Sequence, residues 1–176
     1  MRNKPRQYRL RGYNYGRSGA YFVTICTQGR MPHFGQVVDG QMRLSEIGVI
    51  ATACWEAIPT HYPGMELDTW VLMPDHLHGI LLLPTNENDS LARQIETSLP
   101  GLRPLRSGAL GTIINRFKGS VKRLCNQHGY EEFAWQPRFH DHIIRDRAAH
   151  ERIQRYIEQN PANWQPEPSW TQNLPV

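Results

Sequence analysis

The stretch Val71-Leu-Met-Pro-Asp-His-Leu-His-Gly-Ile-Leu-Leu-Leu83 decides the fold, because it predicts two buried strands joined at Pro74-Asp75. Successive side chains of a strand point to opposite faces, so His76 and His78 project together while Leu77 points towards the core. Two imidazoles presented on one face of a rigid sheet make half of a metal site. A bare His-x-His triplet is more often structural or exposed, so its meaning depends on what the rest of the chain brings to it.

The remaining hydrophobic patterns predict an α+β domain. Aromatic and β-branched runs indicate four strands, at residues 21–27, 67–73, 76–83 and within 134–145, and Asp39-Gly40 is typical of a hairpin turn. Apolar residues at helical spacing indicate three helices, at residues 45–58, 110–125 and 147–159, the first capped by Ser45 and stopped by Pro59. The order is β-α-β-β-α-β and then a helix. We therefore expect a ferredoxin-like sheet with helices on one face, plus a C-terminal helix.

The chain has 176 residues, which is enough for one domain with a substantial core. We expect that domain over residues 20–161, after a basic arm at 1–19 and before a tail at 162–176, with a long connection at 84–109. The three cysteines are isolated, which argues against a zinc finger or a disulfide framework and fits a reducing cytoplasm. No apolar run approaches the length of a membrane span, so we expect a cytoplasmic protein.

Basic residues are clustered rather than numerous. The formal net charge is +4, yet residues 2–17 hold six basic residues and no acid. Residues 97–130 also hold six basic residues and no acid. Such clusters favour a partner that carries phosphates, nucleic acid before membrane. A solvated basic face without a specific partner is the alternative.

A second group of chemically capable residues lies in Arg155-Tyr-Ile-Glu-Gln-Asn-Pro161. Tyr156 and Asn160 are four residues apart, so they stand on one face of the last predicted helix. A phenol can form a covalent intermediate, and an amide oxygen can bind a hard cation. For this pair taken alone, the simpler interpretation is that Tyr156 borders the apolar face and Asn160 caps the helix.

Together these segments resemble the HUH single-tyrosine transposases of bacterial insertion sequences, and most closely their REP-associated tyrosine transposase branch. The resemblance spans nearly the whole chain and rests on the joint occurrence, in order, of several stretches. They are Arg-Leu-Arg-Gly-Tyr-Asn-Tyr15, Gly-Ala-Tyr-Phe-Val-Thr-Ile-Cys-Thr27, Val-Leu-Met-Pro-Asp-His-Leu-His-Gly-Ile80, Trp-Gln-Pro-Arg-Phe-His-Asp-His-Ile-Ile-Arg145 and Tyr-Ile-Glu-Gln-Asn-Pro161.

The resemblance implies that His76 and His78 bind a divalent metal, Mg²⁺ or Mn²⁺, that Tyr156 is the nucleophile, and that Asn160 completes the coordination. It further implies a site-specific single-strand DNA endonuclease and strand transferase that forms a 5′-phosphotyrosine intermediate at hairpin-flanked DNA. Ligand softness alone would also allow zinc. Among members of this branch the site is more often built within one chain, so we favour a monomer, with a dimer as the alternative. Because the resemblance implies a DNA partner, we expect the protein at the nucleoid.

His140 and His142 form a competing pair on the last predicted strand. We prefer His76 and His78 as metal ligands because the family match places the ligands there, and we expect one of the later pair to contact the site or the substrate. DNA-binding residues are expected in the arm and on the second helix: Arg9, Arg11, Tyr13, Arg116, Lys118, Lys122 and Arg123.

The sequence also allows three other functions. The alternatives are a hairpin-binding protein without chemistry, an RNA-binding ferredoxin-like domain, and a metallohydrolase that uses water as its nucleophile. The tail, which carries Trp164 and Trp170, is expected either to cover the site or bind DNA, or simply to pack against the domain.

Overall fold

The structure is a computed structural model that describes residues 19–84 and 110–165. The predictions made for the arm, for nearly all of the long connection and for Trp170 lie outside the described residues. The helices and strands are β1 Gly19–Cys26, β2 Gly35–Val38, β3 Gln41–Leu44, α1 Glu46–Glu56, α2 Ile58–His61, β4 Glu66–Met73, β5 His76–Leu83, α3 Leu110–Gln127, β6 His140–Ile144 and α4 Arg147–Gln159. Within the described ranges no helix is long and apolar enough to cross a membrane.

The main sheet has the strand order β4-β5-β1-β6, and each neighbouring pair is antiparallel. This is the ferredoxin-like arrangement, so the predicted α+β fold is confirmed. Strands β2 and β3 form a separate hairpin between β1 and α1. Its turn holds Asp39 at φ 52° and Gly40 at φ 71°, the left-handed pair that a tight hairpin turn requires.

One local expectation needs correction. Helix α1 begins after Ser45, whose hydroxyl accepts from the Gly48 N–H at 3.1 Å, but it ends at Glu56, before Pro59. Pro59 instead lies in the first turn of the short helix α2, where a proline removes no helical hydrogen bond. The last strand, His140–Ile144, lies within the segment predicted to contain it, and the preceding residues 134–139 contribute one isolated bridge, from Trp135 to Thr27.

The sheet separates two hydrophobic clusters. On one face, alternate residues of β1 and β5 pack with α1 and α3, and Trp55 meets Phe117 at a ring-centroid distance of 5.2 Å. A Cβ at position 79 would lie 2.6 Å from Cζ2 of Trp55, so Gly79 is the residue that lets this helix approach the sheet. On the other face, the remaining side chains of the same strands pack with Ile153 and Ile157 of α4. Helices α1 and α3 therefore share one face, and α4 covers the other.

Candidate active site

His76 and His78 lie on the face of the sheet that α4 covers. They alternate along β5 with Leu77, which belongs to the opposite cluster, as the strand period predicts. Their ring centroids are 4.4 Å apart, and both side chains are buried. Across the neighbouring strand β1 they pair with Cys26 and Thr24.

The Nδ1 atom of each imidazole contacts a protein oxygen. Nδ1 of His76 donates to Oδ1 of Asp75 at 2.6 Å, and Oδ2 of Asp75 lies 3.0 Å from Nε of Arg30. Nδ1 of His78 lies 2.8 Å from Oγ1 of Thr24. In the tautomer with the proton on Nδ1, both rings turn their Nε2 lone pairs away from these partners.

The surroundings keep both rings neutral. Burial lowers the pKa of His76 to about 3, and the positive charge of Arg30 acts in the same direction. Burial also lowers the pKa of His78 well below its ordinary value, with further contributions from His76 and Arg30. Burial raises the pKa of Asp75 to about 6 against the opposing effect of Arg30, so its carboxylate is mainly ionised at neutral pH. Neutral imidazoles beside an ionised carboxylate are the protonation states that metal ligation needs.

Tyr156 reaches the same cluster from α4. Its hydroxyl lies 3.3 Å from Nε2 of His78, and its ring makes an edge contact with Phe22 of β1. Burial raises the pKa of Tyr156, while a hydrogen bond with the Asn160 side chain and the charge of Arg30 lower it. Asn160 is the C-cap residue of α4, as expected. Tyr156 therefore rests as a protonated phenol that contacts a candidate metal ligand on one side and Asn160 on the other.

Helix α4 is held over the sheet by a polar contact as well as by its apolar face. Asp68 of β4 accepts from Nε2 of His150 at 2.5 Å and from Nε2 of Gln154 at 3.0 Å. His150 and Gln154 are four residues apart and share one flank of α4, whereas Tyr156 lies on the other flank. The histidines and the tyrosine thus meet within one chain.

The described residues have one feature that suits a divalent metal and one that restricts how many ligands they can offer it. The fit is the pair of Nδ1 contacts to Asp75 and Thr24, which is the second contact that metal-binding imidazoles usually have. The limit is that, in the part of the chain that the structure describes, no three His, Cys, Asp or Glu side chains gather as a ligand set. A metal held here would take two imidazole nitrogens from the chain and complete its coordination with oxygens, for which the Asn160 amide is available.

The competing pair stands on the same face. Because β1 lies between β5 and β6, Thr24 pairs with both His78 and His140, and Phe22 pairs with His142. Both later histidines are partly buried, and burial is the main cause that lowers their pKa values. They are placed two strands away from His78, alongside the site.

The basic residues of α3 lie on the far side of the sheet from the histidines, because α3 packs in the opposite cluster. Lys118 Nζ donates to the Gln136 carbonyl at 2.5 Å, and Lys122 Nζ donates to the Phe133 carbonyl at 2.6 Å. These two ammonium groups therefore hold the segment that leads into β6. Arg116 and Arg123 are exposed. Phosphate binding by α3 stays a prediction. The exposed Arg116 and Arg123 suit that role better than Lys118 and Lys122, which already donate to backbone carbonyls.

Sequence reasoning missed three residues around the histidines. Asp75 was read only as part of the turn, although its position next to His76 was a usable signal. Thr24 and Arg30 gave no local signal, since their contacts depend on how β1 pairs with β5. Trp164, assigned to the tail, lies with its ring 5.8 Å from that of His76, so the beginning of the tail covers one side of the site.

Comparisons with known proteins bear on the family and the fold of the chain. No protein-family model matches the chain. An uncharacterised protein of Haemophilus influenzae is 36% identical over 163 residues, which cover 91% of this chain and 89% of that protein, so the two belong to one family. A second protein of that organism, provisionally named a REP-associated tyrosine transposase, is 24% identical over 139 residues, which cover 76% of this chain and 64% of that protein.

Among solved structures, a REP-associated tyrosine transposase bound to a REP hairpin matches with a TM-score of 0.58 at 20% identity, covering 92% of this chain and 73% of that one. The chain therefore has the transposase fold. The resemblance to the REP-associated tyrosine transposases, which the sequence motifs indicate, is confirmed as a resemblance in fold and sequence.

Proposed function

We propose that this protein is a metal-dependent, site-specific single-strand DNA endonuclease and strand transferase with Tyr156 as its nucleophile. The observation that supports it most is the 3.3 Å approach of the Tyr156 hydroxyl to Nε2 of His78, on the face where His76 also lies. A tyrosine that only packed against the apolar face would not need to direct its hydroxyl at a buried, neutral imidazole. The transposase fold supports the same class of reaction.

In this proposal His76, His78 and Asn160 hold Mg²⁺ or Mn²⁺. When bound, such an ion polarises the scissile phosphate as a Lewis acid. Asp75 and Thr24 keep the two imidazoles in the orientation that presents Nε2. Asn160, through its hydrogen bond, holds the Tyr156 hydroxyl towards the phosphorus.

The reaction conserves the phosphodiester. The Tyr156 oxygen forms a bond to phosphorus, the bond from phosphorus to the 3′ oxygen breaks, and the phenol proton is lost while the leaving 3′ oxygen gains one. The product is a 5′-phosphotyrosine and a free 3′-hydroxyl. Attack by another 3′-hydroxyl reverses the step and joins a new strand, which is strand transfer.

The partner in this proposal is hairpin DNA with a single-stranded flank. The solved transposase of the same fold is bound to a REP hairpin, and the basic clusters of this chain suit a phosphate backbone. A chain whose own tyrosine meets its own histidines can act as a monomer. A DNA partner would place the protein at the nucleoid.

The test is covalent trapping on DNA. The protein is incubated with synthetic hairpins carrying a randomised single-stranded flank and Mn²⁺, and products are separated on a denaturing gel. We expect a protein–DNA adduct from the unmodified chain, none from Tyr156→Phe, and none after EDTA treatment. Tyr62→Phe is the matched control, because it removes a buried hydroxyl that has no hydrogen-bond partner among the described residues.

The outcomes separate the alternatives. Cleavage by Tyr156→Phe at the rate of the unmodified chain would exclude the tyrosine mechanism and favour water as the nucleophile. Hairpin binding without an adduct, under all metal conditions, would favour the binding protein without chemistry.

A further inference from the structure

A strip of polar side chains continues from the site along β6 and α4. His140 and His142 stand on the site face, and their strand leads through a short connection into α4, which runs back in the opposite direction. Ile144 and Ala149 belong to one cluster at the start of this return. From Ile144 towards the site, β6 presents first His142 and then His140. These two histidines and Arg152 of α4 form the strip.

Arg152 lies on the side of α4 that borders the two histidines. It precedes Tyr156 by four residues, so the two share a flank and are separated by about 6 Å along the helix axis. Its charge is close enough to lower the pKa of His142, after the larger effect of burial and together with Arg145. Arg152 is exposed and has no ion pair or hydrogen bond within residues 19–84 and 110–165.

Acidic side chains near the strip are already engaged. Asp146 caps α4 by accepting from the Ala149 N–H at 2.7 Å. Glu151 pairs with Arg147 at 2.7 Å. Asp141 alternates with the histidines along β6 and so belongs to the opposite face. The positive charge beside the candidate nucleophile therefore comes from Arg145 and Arg152, because burial lowers the pKa values of His140 and His142, and the charge of Asp141 acts on these histidines in the opposite sense to the arginines.

We propose that Arg152, together with His142, binds a backbone phosphate of the nucleic-acid strand next to the phosphate that Tyr156 attacks. This proposal rests on the function proposed above and extends it to the path of the strand across the protein. A guanidinium donates two parallel hydrogen bonds to a phosphate, and the imidazole of His142 adds a third donor. One turn of α4 then separates the anchoring residue from the nucleophile, which fixes the register of the strand at the site.

The test measures binding without requiring cleavage. Affinity for a fluorescent hairpin with a single-stranded DNA flank is determined by anisotropy over a range of salt, in EDTA. We expect Arg152→Gln to weaken binding about tenfold and to make the salt slope shallower by about 0.7, the value for one lost phosphate contact on a single strand. Arg152→Lys keeps the charge and should retain the slope.

Arg155→Gln is the matched control. Arg155 is an exposed arginine of the same helix, about 200° around from the buried Ile153, so it points away from the sheet. Its replacement should leave the slope unchanged. Equal slopes for Arg152→Gln and Arg155→Gln would overturn the proposal.

A second measurement locates the contact on the DNA. Neutral methylphosphonates are introduced one at a time along the flank, and each is tested with the unmodified chain and with Arg152→Gln. We expect one position, next to the cleaved bond, at which the loss of affinity caused by the methylphosphonate and the loss caused by Arg152→Gln are not additive. Additive losses at every position would overturn the proposal. Non-additivity in a chain that forms no adduct would leave the phosphate contact standing and refute only the proposed chemistry.

Discussion

At the scale of single residues, the site is organised by the partners of the two histidines. Thr24 and Asp75 occupy one nitrogen of each ring, which fixes the ring orientations before any ligand arrives. Burial keeps both imidazoles uncharged, so neither carries a proton that a metal must displace. The residues that make the histidines useful are thus not themselves candidate ligands.

Replacing Thr24 with valine should weaken metal binding. Thr24→Val keeps the shape of the side chain but removes the oxygen that faces Nδ1 of His78. We expect Mn²⁺ affinity, measured by calorimetry without DNA, to fall about 10- to 100-fold, as for other lost partners of metal-bound histidines. Thr24→Ser retains the hydroxyl and should bind as the unmodified chain does. Unaltered affinity in Thr24→Val would contradict the assignment of His78 as a ligand.

At the scale of elements, α4 is the part that places the candidate nucleophile Tyr156 against the sheet. Its apolar residues Ile153 and Ile157 hold it against the sheet, and the contacts of Asp68 with His150 and Gln154 secure one flank. Burial would raise the pKa of Asp68, but hydrogen bonds from Thr69, His150 and Gln154 outweigh it and lower the pKa. A carboxyl with a lowered pKa stabilises the fold above its unfolded pKa, and that contribution is lost as the pH falls through its folded pKa.

Asp68→Ala should therefore loosen α4. Removing the shared acceptor leaves two donors of α4 without their partner, which costs about 1–3 kcal/mol in the free energy of unfolding. We expect lower stability in urea and faster hydrogen exchange in α4 than in α3. The control is Glu151→Ala, which breaks only the exposed pair with Arg147 and should change stability by less than about 1 kcal/mol. Equal exchange in both helices would mean that Asp68 does not secure α4.

At the scale of the whole molecule, the sheet divides the protein into a structural face and a site face. Helices α1 and α3 fill the first, and α4 with the histidines forms the second. The exposed Arg116 and Arg123 of α3 are consequently remote from Tyr156. DNA that contacted both would have to pass around the edge of the sheet.

The single-chain site predicts the result of mixing two inactive variants. Tyr156→Phe lacks the candidate nucleophile and His76→Ala lacks a candidate ligand, so a mixture contains both only in different chains. Because Tyr156 meets His78 of its own chain, we expect the mixture to form no adduct on the hairpin substrate. Each variant mixed with the unmodified chain should leave adduct formation intact. Recovery of activity in the variant mixture would show that α4 is exchanged between two chains.

Much of this arrangement could be predicted locally. The bounds of β5 and α4, the shared face of His76 and His78, and the placement of Asn160 at the helix end follow from periods of two and 3.6 residues and from the effect of a following proline. The roles expected for Lys118 and Lys122 show what local sequence patterns do not predict. Charge clustering indicates a basic surface, but it does not reveal that both ammonium groups donate to nearby backbone carbonyls.

The sequence by itself determined which elements form and which faces they present, because side-chain periodicity is a local property of the backbone. Only the tertiary structure decided what meets across those faces. Thr24 reaches His78 because β1 pairs with β5 in one register, and Tyr156 reaches it because α4 packs on the face opposite α1 and α3. Such contacts join residues more than fifty positions apart. They are set by how whole elements bury their apolar surfaces, and no local pattern encodes that.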